Sequence, residues 1–265
     1  MKLKKFKILI MLIIIFIIIF IIFLYKNEIT IMVNDISNSF YITLIEENRY
    51  KLLLNGLFST SIISITSILL GTIIGVVIYY IQKCKLPFLS KIFSFYIKLM
   101  QGIPITVLLL TFYYVIFGNV NLNPMIVAII TFSLYFSAYV SEIIKGAMAS
   151  INISQIYSAY SLGFNKYKTF RYIVFPQALV YIIPVYKNEI VSLIKLTSIA
   201  GYISIMDLTK ASDIIRNRTY EAFFPLIITA LIYFVLCYVI GKVLDLLYKK
   251  INPRNYEGGI KNAKI

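Results

Sequence analysis

The chain contains no histidine and no tryptophan, and only two cysteines among 265 residues. Without an imidazole there is no histidine general base and no histidine metal ligand. Serine-histidine triads and His-Glu-x-x-His zinc sites are therefore excluded. Cys84 lies between two lysines and Cys237 lies in an apolar run, a pattern that predicts two free thiols rather than a disulfide. Acidic residues are scarce, 11 against 26 basic ones. No Gly-x-x-x-x-Gly-Lys-Ser/Thr loop is present to cradle a nucleotide, so the chain itself is not expected to hydrolyse ATP. Nothing in the sequence calls for a metal, a cofactor or a catalytic residue.

Apolar surface is what the chain has in excess. It is 60% hydrophobic with a mean hydropathy of +0.86, a composition that suits an all-α integral membrane protein. Six segments approach the ~20 residues needed to cross a bilayer: 8–25, 53–81, 99–117, 124–144, 177–203 and 223–248. Residues 86–98 carry Lys91 and Lys98 among Phe88, Ile92, Phe93 and Tyr96, and are expected to lie along the cytoplasmic interface. The connections alternate in charge. Residues 1–7, 82–98 and 145–172 each carry four basic groups and no acid. Residues 118–123 are uncharged, and 207–221 balance three basic groups against three acids. Residues 26–51 carry three basic and four acidic groups, and the end of the chain from Lys242 carries six against two. The net charge of +15 thus reads as a positive-inside signal and not as a nucleic-acid footprint. It predicts an even number of spans with both termini cytoplasmic.

The sequence divides into residues 1–52, 53–250 and 251–265. In the first part, basic Met1–Lys7 followed by apolar Ile8–Leu24 has the outline of a signal peptide. Tyr25-Lys26-Asn27-Glu28 offers no small-x-small cleavage site, so the segment is expected to remain as a signal anchor. The last part is polar and is expected to form a cytoplasmic tail.

Several motifs stand out in the central part. Gly71-Thr72-Ile73-Ile74-Gly75 is a small-xxx-small pattern for close helix packing. Gln101-Gly102-Ile103-Pro104 reads as a helix start. Glu142 and Lys145, three apart, are placed to pair on one helix face. Asn188, Ser192 and Lys195 follow an i, i+4, i+7 spacing and form one polar stripe on an apolar helix, with Lys187 and Glu189 beside them. Charges at that depth cost on the order of 2.5–3.5 kcal/mol each if they face lipid. The stripe must then face other helices or a water-filled path. A structural network that joins helices is the alternative to a substrate pathway.

The stretch from Gln155 to Ser198 is the most distinctive. A polar loop carrying Gly163 leads through a basic segment to Ile173-Val174-Phe175-Pro176-Gln177-Ala178, then to a long apolar helix containing Asn188, Lys195, Thr197 and Ser198. The spacing of Ala159, Leu162, Gly163, Ile173 and Pro176 resembles the cytoplasmic coupling loop of ABC-importer permeases, Glu-Ala-Ala, three residues, Gly, nine residues, Ile-x-Leu-Pro. The Pro-Gln-Ala and the later Asn…Lys-x-Thr-Ser are similar to the polar amino acid branch of that family. Ala138-Tyr139-Val140-Ser141-Glu142-Ile143-Ile144-Lys145-Gly146 is similar to a further family run just before the loop, Ala-Tyr-x-x-Glu-x-x-Arg-Gly. Tyr157 stands where the family has Glu, and Gln101 where it has Arg. The resemblance runs from about Asn55 to Lys250.

The resemblance implies a five-helix permease core, to which the signal anchor is an addition. It implies a coupling loop at Gln155, Ala159, Leu162, Gly163, Ile173, Pro176 and Gln177. It also implies a substrate pathway at Asn188, Glu189, Ser192, Lys195, Thr197 and Ser198. The partners implied are a separate ABC ATPase subunit, an extracytoplasmic amino-acid-binding protein and a second permease chain, identical or related. Two other readings stay open on the residues alone: an ion-coupled secondary transporter using Glu189 and Lys195, and a non-transporting membrane assembly factor.

Overall fold

A computed structural model describes residues 34–84 and 86–251, together with Met11. The rest of the expected signal anchor and the tail from Pro253 lie outside the described residues. The helices that build the bundle run, in chain order, α1 Tyr50–Lys83, α2 Pro87–Gly102, α3 Ile105–Thr111, α4 Pro124–Ala149, α5 Ile153–Ser161, α6 Lys166–Thr169, α7 Phe175–Leu196, α8 Leu208–Thr219 and α9 Phe223–Ile251. Among the described residues every regular element is helical.

Helices α1, α4 and α9 are each long and apolar enough to cross a membrane. Two bent pairs supply the other candidate crossings. The first joins α2 to Ile105–Ile116 at 109°, and the second joins Lys166–Ile203 to α8 at 54°. The described residues therefore hold up to five crossings, in the regions where hydropathy places five after the anchor.

The span expected over 99–117 is broken at Ile103–Pro104. Ile103 is extended, at φ −105° and ψ 132°, and Pro104 caps α3. Proline lacks an N–H and disfavours helical geometry in the residue before it. The run Ile105–Ile116 rises only about 18 Å at 1.5 Å per residue, short of the ~30 Å hydrocarbon core. The segment expected over 86–98 to lie along the interface forms one amphipathic helix, Pro87–Gly102, which runs four residues further and buries Ile97 and Met100.

The core forms where α1 and α4 lie against each other. A Cβ added at Gly71 would sit 2.8 Å from the Ser133 carbonyl oxygen, and one at Gly75 would sit 2.8 Å from that of Ser137 and 2.7 Å from Val140 Cβ. The small-xxx-small pattern thus does what its spacing predicts and lets the two backbones approach. Phe132, Phe136, Leu109, Leu193 and Ile194 are fully buried around this contact. Several hydroxyls inside the bundle bond to carbonyls of their own helix, as Thr131 Oγ1 does to the Val127 carbonyl at 2.8 Å. Tyr96 OH donates to the Leu134 carbonyl at 2.7 Å, tying α2 to α4.

The second break is seated on α1. Asp207 is fully buried and caps α8 by accepting from Thr209 N at 3.0 Å and Lys210 N at 3.3 Å. Leu208 N donates to Thr60 Oγ1 at 3.1 Å, and Gly56 leaves room for the Asp207 carbonyl, 2.7 Å from where a Cβ would stand.

Candidate functional site

Two regions gather the residues singled out by sequence. The first is the loop between α4 and α7. Asn152 caps α5 by accepting from Ser154 N at 2.9 Å. Ala159 points inward and is 1% exposed, whereas Leu162 is 78% exposed at the helix end. Phe164 N donates to the Ala159 carbonyl at 3.0 Å and Gly163 N to the Tyr160 carbonyl at 3.0 Å. That pair of bonds is a Schellman ending, which requires a left-handed residue, and Gly163 supplies it at φ +82°. Asn165 then caps α6 by accepting from Lys168 N at 2.8 Å.

From there the chain stays helical. A π turn over Phe170–Val174 joins α6 to α7, with Phe175 N bonded to the Phe170 carbonyl. Pro176 is therefore not at a free helix start, as its place after a loop suggests. The wide turn just before it absorbs the hydrogen bond that a proline cannot donate. Gln177 Nε2 donates to Gln155 Oε1 at 2.7 Å and to the Ile173 carbonyl at 3.0 Å. Gln155, Ile173 and Gln177 are thus brought together, and the start of α7 is fastened to α5. Glu142 and Lys145, just upstream, pair at 3.1 Å as their spacing predicts.

The second region is the face that α7 turns toward α9. A cleft of about 510 Å3 is lined by Lys187, Asn188, Val191 and Lys195 from α7, and by Cys237, Tyr238, Gly241, Lys242 and Asp245 from α9. Lys187 Nζ donates to Asp245 Oδ1 at 2.6 Å across it. The Lys187 stem passes over Gly241, its Cε 3.4 Å from where a Cβ would stand, an ordinary contact distance. Lys242 Nζ stands 5.4 Å from the centroid of the Tyr238 ring.

The polar stripe is split by the helix. Asn188 and Lys195 are exposed and line the cleft, while Glu189, Ser192, Thr197 and Ser198 do not. Glu189 is half-buried, one helical step round from Asn188, within electrostatic reach of Tyr135 on α4. Tyr135 in turn donates to Tyr139 OH at 3.1 Å. Thr197 is fully buried with its hydroxyl on the Ile194 carbonyl at 2.7 Å. Sequence reasoning missed the α9 half of the cleft. Its signal was there: Asp245 is the one acid in the apolar run of α9, and such a charge needs a partner. Among the described residues no group of three or more His, Cys, Asp or Glu side chains could hold a metal.

A chain with this bundle, loop and charged cleft has known relatives. The model of the binding-protein-dependent transport system inner membrane component matches residues 67–254. The chain belongs to that family. The probable amino-acid ABC transporter permease protein YckA of Bacillus subtilis is 31% identical over 83% of this permease and 98% of its own length. The histidine/lysine/arginine/ornithine transport system permease protein HisQ of Salmonella typhimurium is 28% identical over 80% and 96%. Among solved structures, an amino acid ABC transporter crystallised with histidines superposes with a TM-score of 0.70 at 30% identity, covering 78% of this permease and 97% of that chain. The inward-facing MetNI methionine ABC transporter superposes with a TM-score of 0.62 at 16% identity, a likeness of fold alone. The permease is thus an α-helical, multi-pass bacterial membrane protein of the ABC-importer type.

Proposed function

We propose that this permease is the translocation subunit of an ATP-driven importer for polar amino acids. A separate ABC ATPase drives it through the α5–Gly163 loop, an extracytoplasmic binding protein delivers substrate, and a second permease chain completes the pathway. No covalent chemistry occurs in this chain. The observation that carries the reading is mechanical. The loop is closed by a Schellman ending and fastened by Gln155 and Gln177 to the same helix that presents Lys187, Asn188 and Lys195. A displacement of α5 is therefore passed directly to α7 and its charged cleft. Alternating access needs such a link between the energy-using end and the substrate path.

In this reading residues 1–52 serve as a signal anchor and short extracytoplasmic segment, 53–250 as the transporting bundle and 251–265 as a cytoplasmic tail. The preference is drawn from relatives named for histidine, lysine, arginine and ornithine, for glutamine and for L-cystine. A zwitterion needs a donor and an acceptor inside the membrane, and the groups of α7 supply both kinds. The test is uptake of labelled glutamine, glutamate and arginine by proteoliposomes that carry the permease with its co-purified ATPase, enclose ATP and receive the binding protein outside. ATP-dependent accumulation of at least one is expected. Equal uptake with and without ATP would overturn the reading in favour of an ion-coupled carrier.

A further inference from the structure

We propose that this permease holds an anionic phospholipid of the cytoplasmic leaflet, one acyl chain inside the bundle and the phosphate beside Lys83 and Lys145. The proposal goes beyond the transport reading and rests only on the membrane placement of the helices.

A cavity of about 450 Å3 lies among α1, α4, α7 and α9, walled by side chains such as Val76, Val140, Ile144, Leu179, Ile183 and Leu244. No charged side chain lines it. Its Thr72 and Tyr186 hydroxyls are bonded to each other at 2.6 Å. An amino acid zwitterion placed there would lose its hydration with nothing to replace it, whereas a hydrocarbon chain loses nothing. Tyr80, Phe175 and Leu247 at its edge are 51%, 37% and 52% exposed, so the cavity opens through an apolar rim of the kind that faces lipid.

A second pocket, of about 470 Å3, abuts the first and has the opposite character. The two share Tyr79 and Met148, and the second adds Gln82, Lys83, Ser90, Ser94 and Lys145. Lys83 Nζ lies 6.0 Å from the centroid of the Tyr79 ring, at the partition between the two. Lys145 is bridged to Glu142, but both are well exposed, and a solvated pair leaves ammonium donors free for a phosphate. One amide atom of Gln82 bonds Ser94 Oγ at 3.3 Å, while the other is buried without a partner. A phosphate oxygen or a glycerol hydroxyl would satisfy it in one or the other amide orientation. Met148 is an unbranched side chain that adapts to what passes it, so a chain crosses the partition there.

Apolar cavity and basic pocket side by side match a molecule with a hydrocarbon chain and an anionic head. Both sit at the end of the bundle that carries the basic connections, next to the leaflet that holds anionic lipid. Ile156 of α5 and Val174 also line the basic pocket, so the headgroup borders the loop that leads to α7.

The test is native mass spectrometry of the full-length permease in detergent, titrated with phosphatidylglycerol or phosphatidylcholine of identical acyl chains. One saturable phosphatidylglycerol per chain is expected, with a preference of about fivefold for each lysine engaged. Lys83→Gln with Lys145→Gln should erase that preference, and Ile183→Trp, which fills the apolar cavity, should reduce retention of both lipids. Val76→Phe repeats the second arm if Ile183→Trp lowers the thermal midpoint. Equal retention of the two lipids, or a preference unchanged by the double lysine variant, would overturn the proposal. So would equal competition by glycerol phosphate, which would make the site one for a free anion.

Discussion

At the scale of single residues, the glycines divide into two kinds that behave differently under substitution. Gly163 sits at φ +82° with nothing within 4 Å of where a Cβ would stand, so its need is purely conformational. Gly163→Ala should cost about 1 kcal/mol at the end of α5, and Asn, which tolerates the left-handed region better, should cost less. Gly75 is the reverse case, helical but with its Cβ position 2.7 Å from Val140 Cβ and 2.8 Å from the Ser137 carbonyl oxygen. Gly75→Leu should disrupt the α1–α4 contact and lower the thermal midpoint of the purified protein sharply. Gly163→Leu should lower that midpoint by only a few degrees while reducing ATP-driven uptake. If the two leucine variants lose stability equally, the distinction is wrong and the loop is part of the folding core.

At the scale of elements, α7 and α9 are joined by the Lys187–Asp245 bridge, whose side chains are 28% and 38% exposed. Breaking it strands a charge at the membrane level and should cost about 2 kcal/mol, between an exposed pair and a buried one. Asp245→Asn and Lys187→Gln are each expected to reduce uptake and stability, and the exchange Lys187→Asp with Asp245→Lys should recover most of both. An exchange no better than its single variants would mean that the residues act separately. The bridge also shows where sequence reasoning stops. Apolar runs marked the crossings over 53–81, 124–144 and 223–248, because hydropathy acts locally along the chain. The loop around Gly163 was legible too, since a left-handed helix ending constrains both residue type and spacing. The face on which Asn188 parts from Glu189, and the seat of Asp207 against Gly56, depend on which helix lies alongside. A helix does start after Gln101–Pro104, but the 109° bend there and the π turn before Pro176 were not foreseen. Proline announces that a hydrogen bond is lost, but packing decides how the chain absorbs it.

At the scale of the whole molecule, the fold sorts charge by end. One end of the bundle brings the close of α1 and of α4 together with α5 in a single pocket containing Lys83, Lys145 and Ile156. That end takes the connections 82–98 and 145–172, each with four basic groups and no acid. At the opposite end, Phe117–Leu122 form an uncharged pocket with Tyr113 and Tyr114, and the segment after α8 is tied back by Ser39 Oγ donating to Glu221 Oε1 at 3.0 Å. A basic connection resists translocation, whereas a neutral or balanced one does not, so the first end is predicted to remain cytoplasmic. Reporter fusions at Lys85, Lys166 and the tail are expected to read inside, and fusions at Asn121 and Asp213 outside. The Lys166 fusion is the decisive one. If it reads outside, α5 and Gly163 face away from any cytoplasmic ATPase, and the coupling role proposed for the loop falls even though the helices and their packing stand.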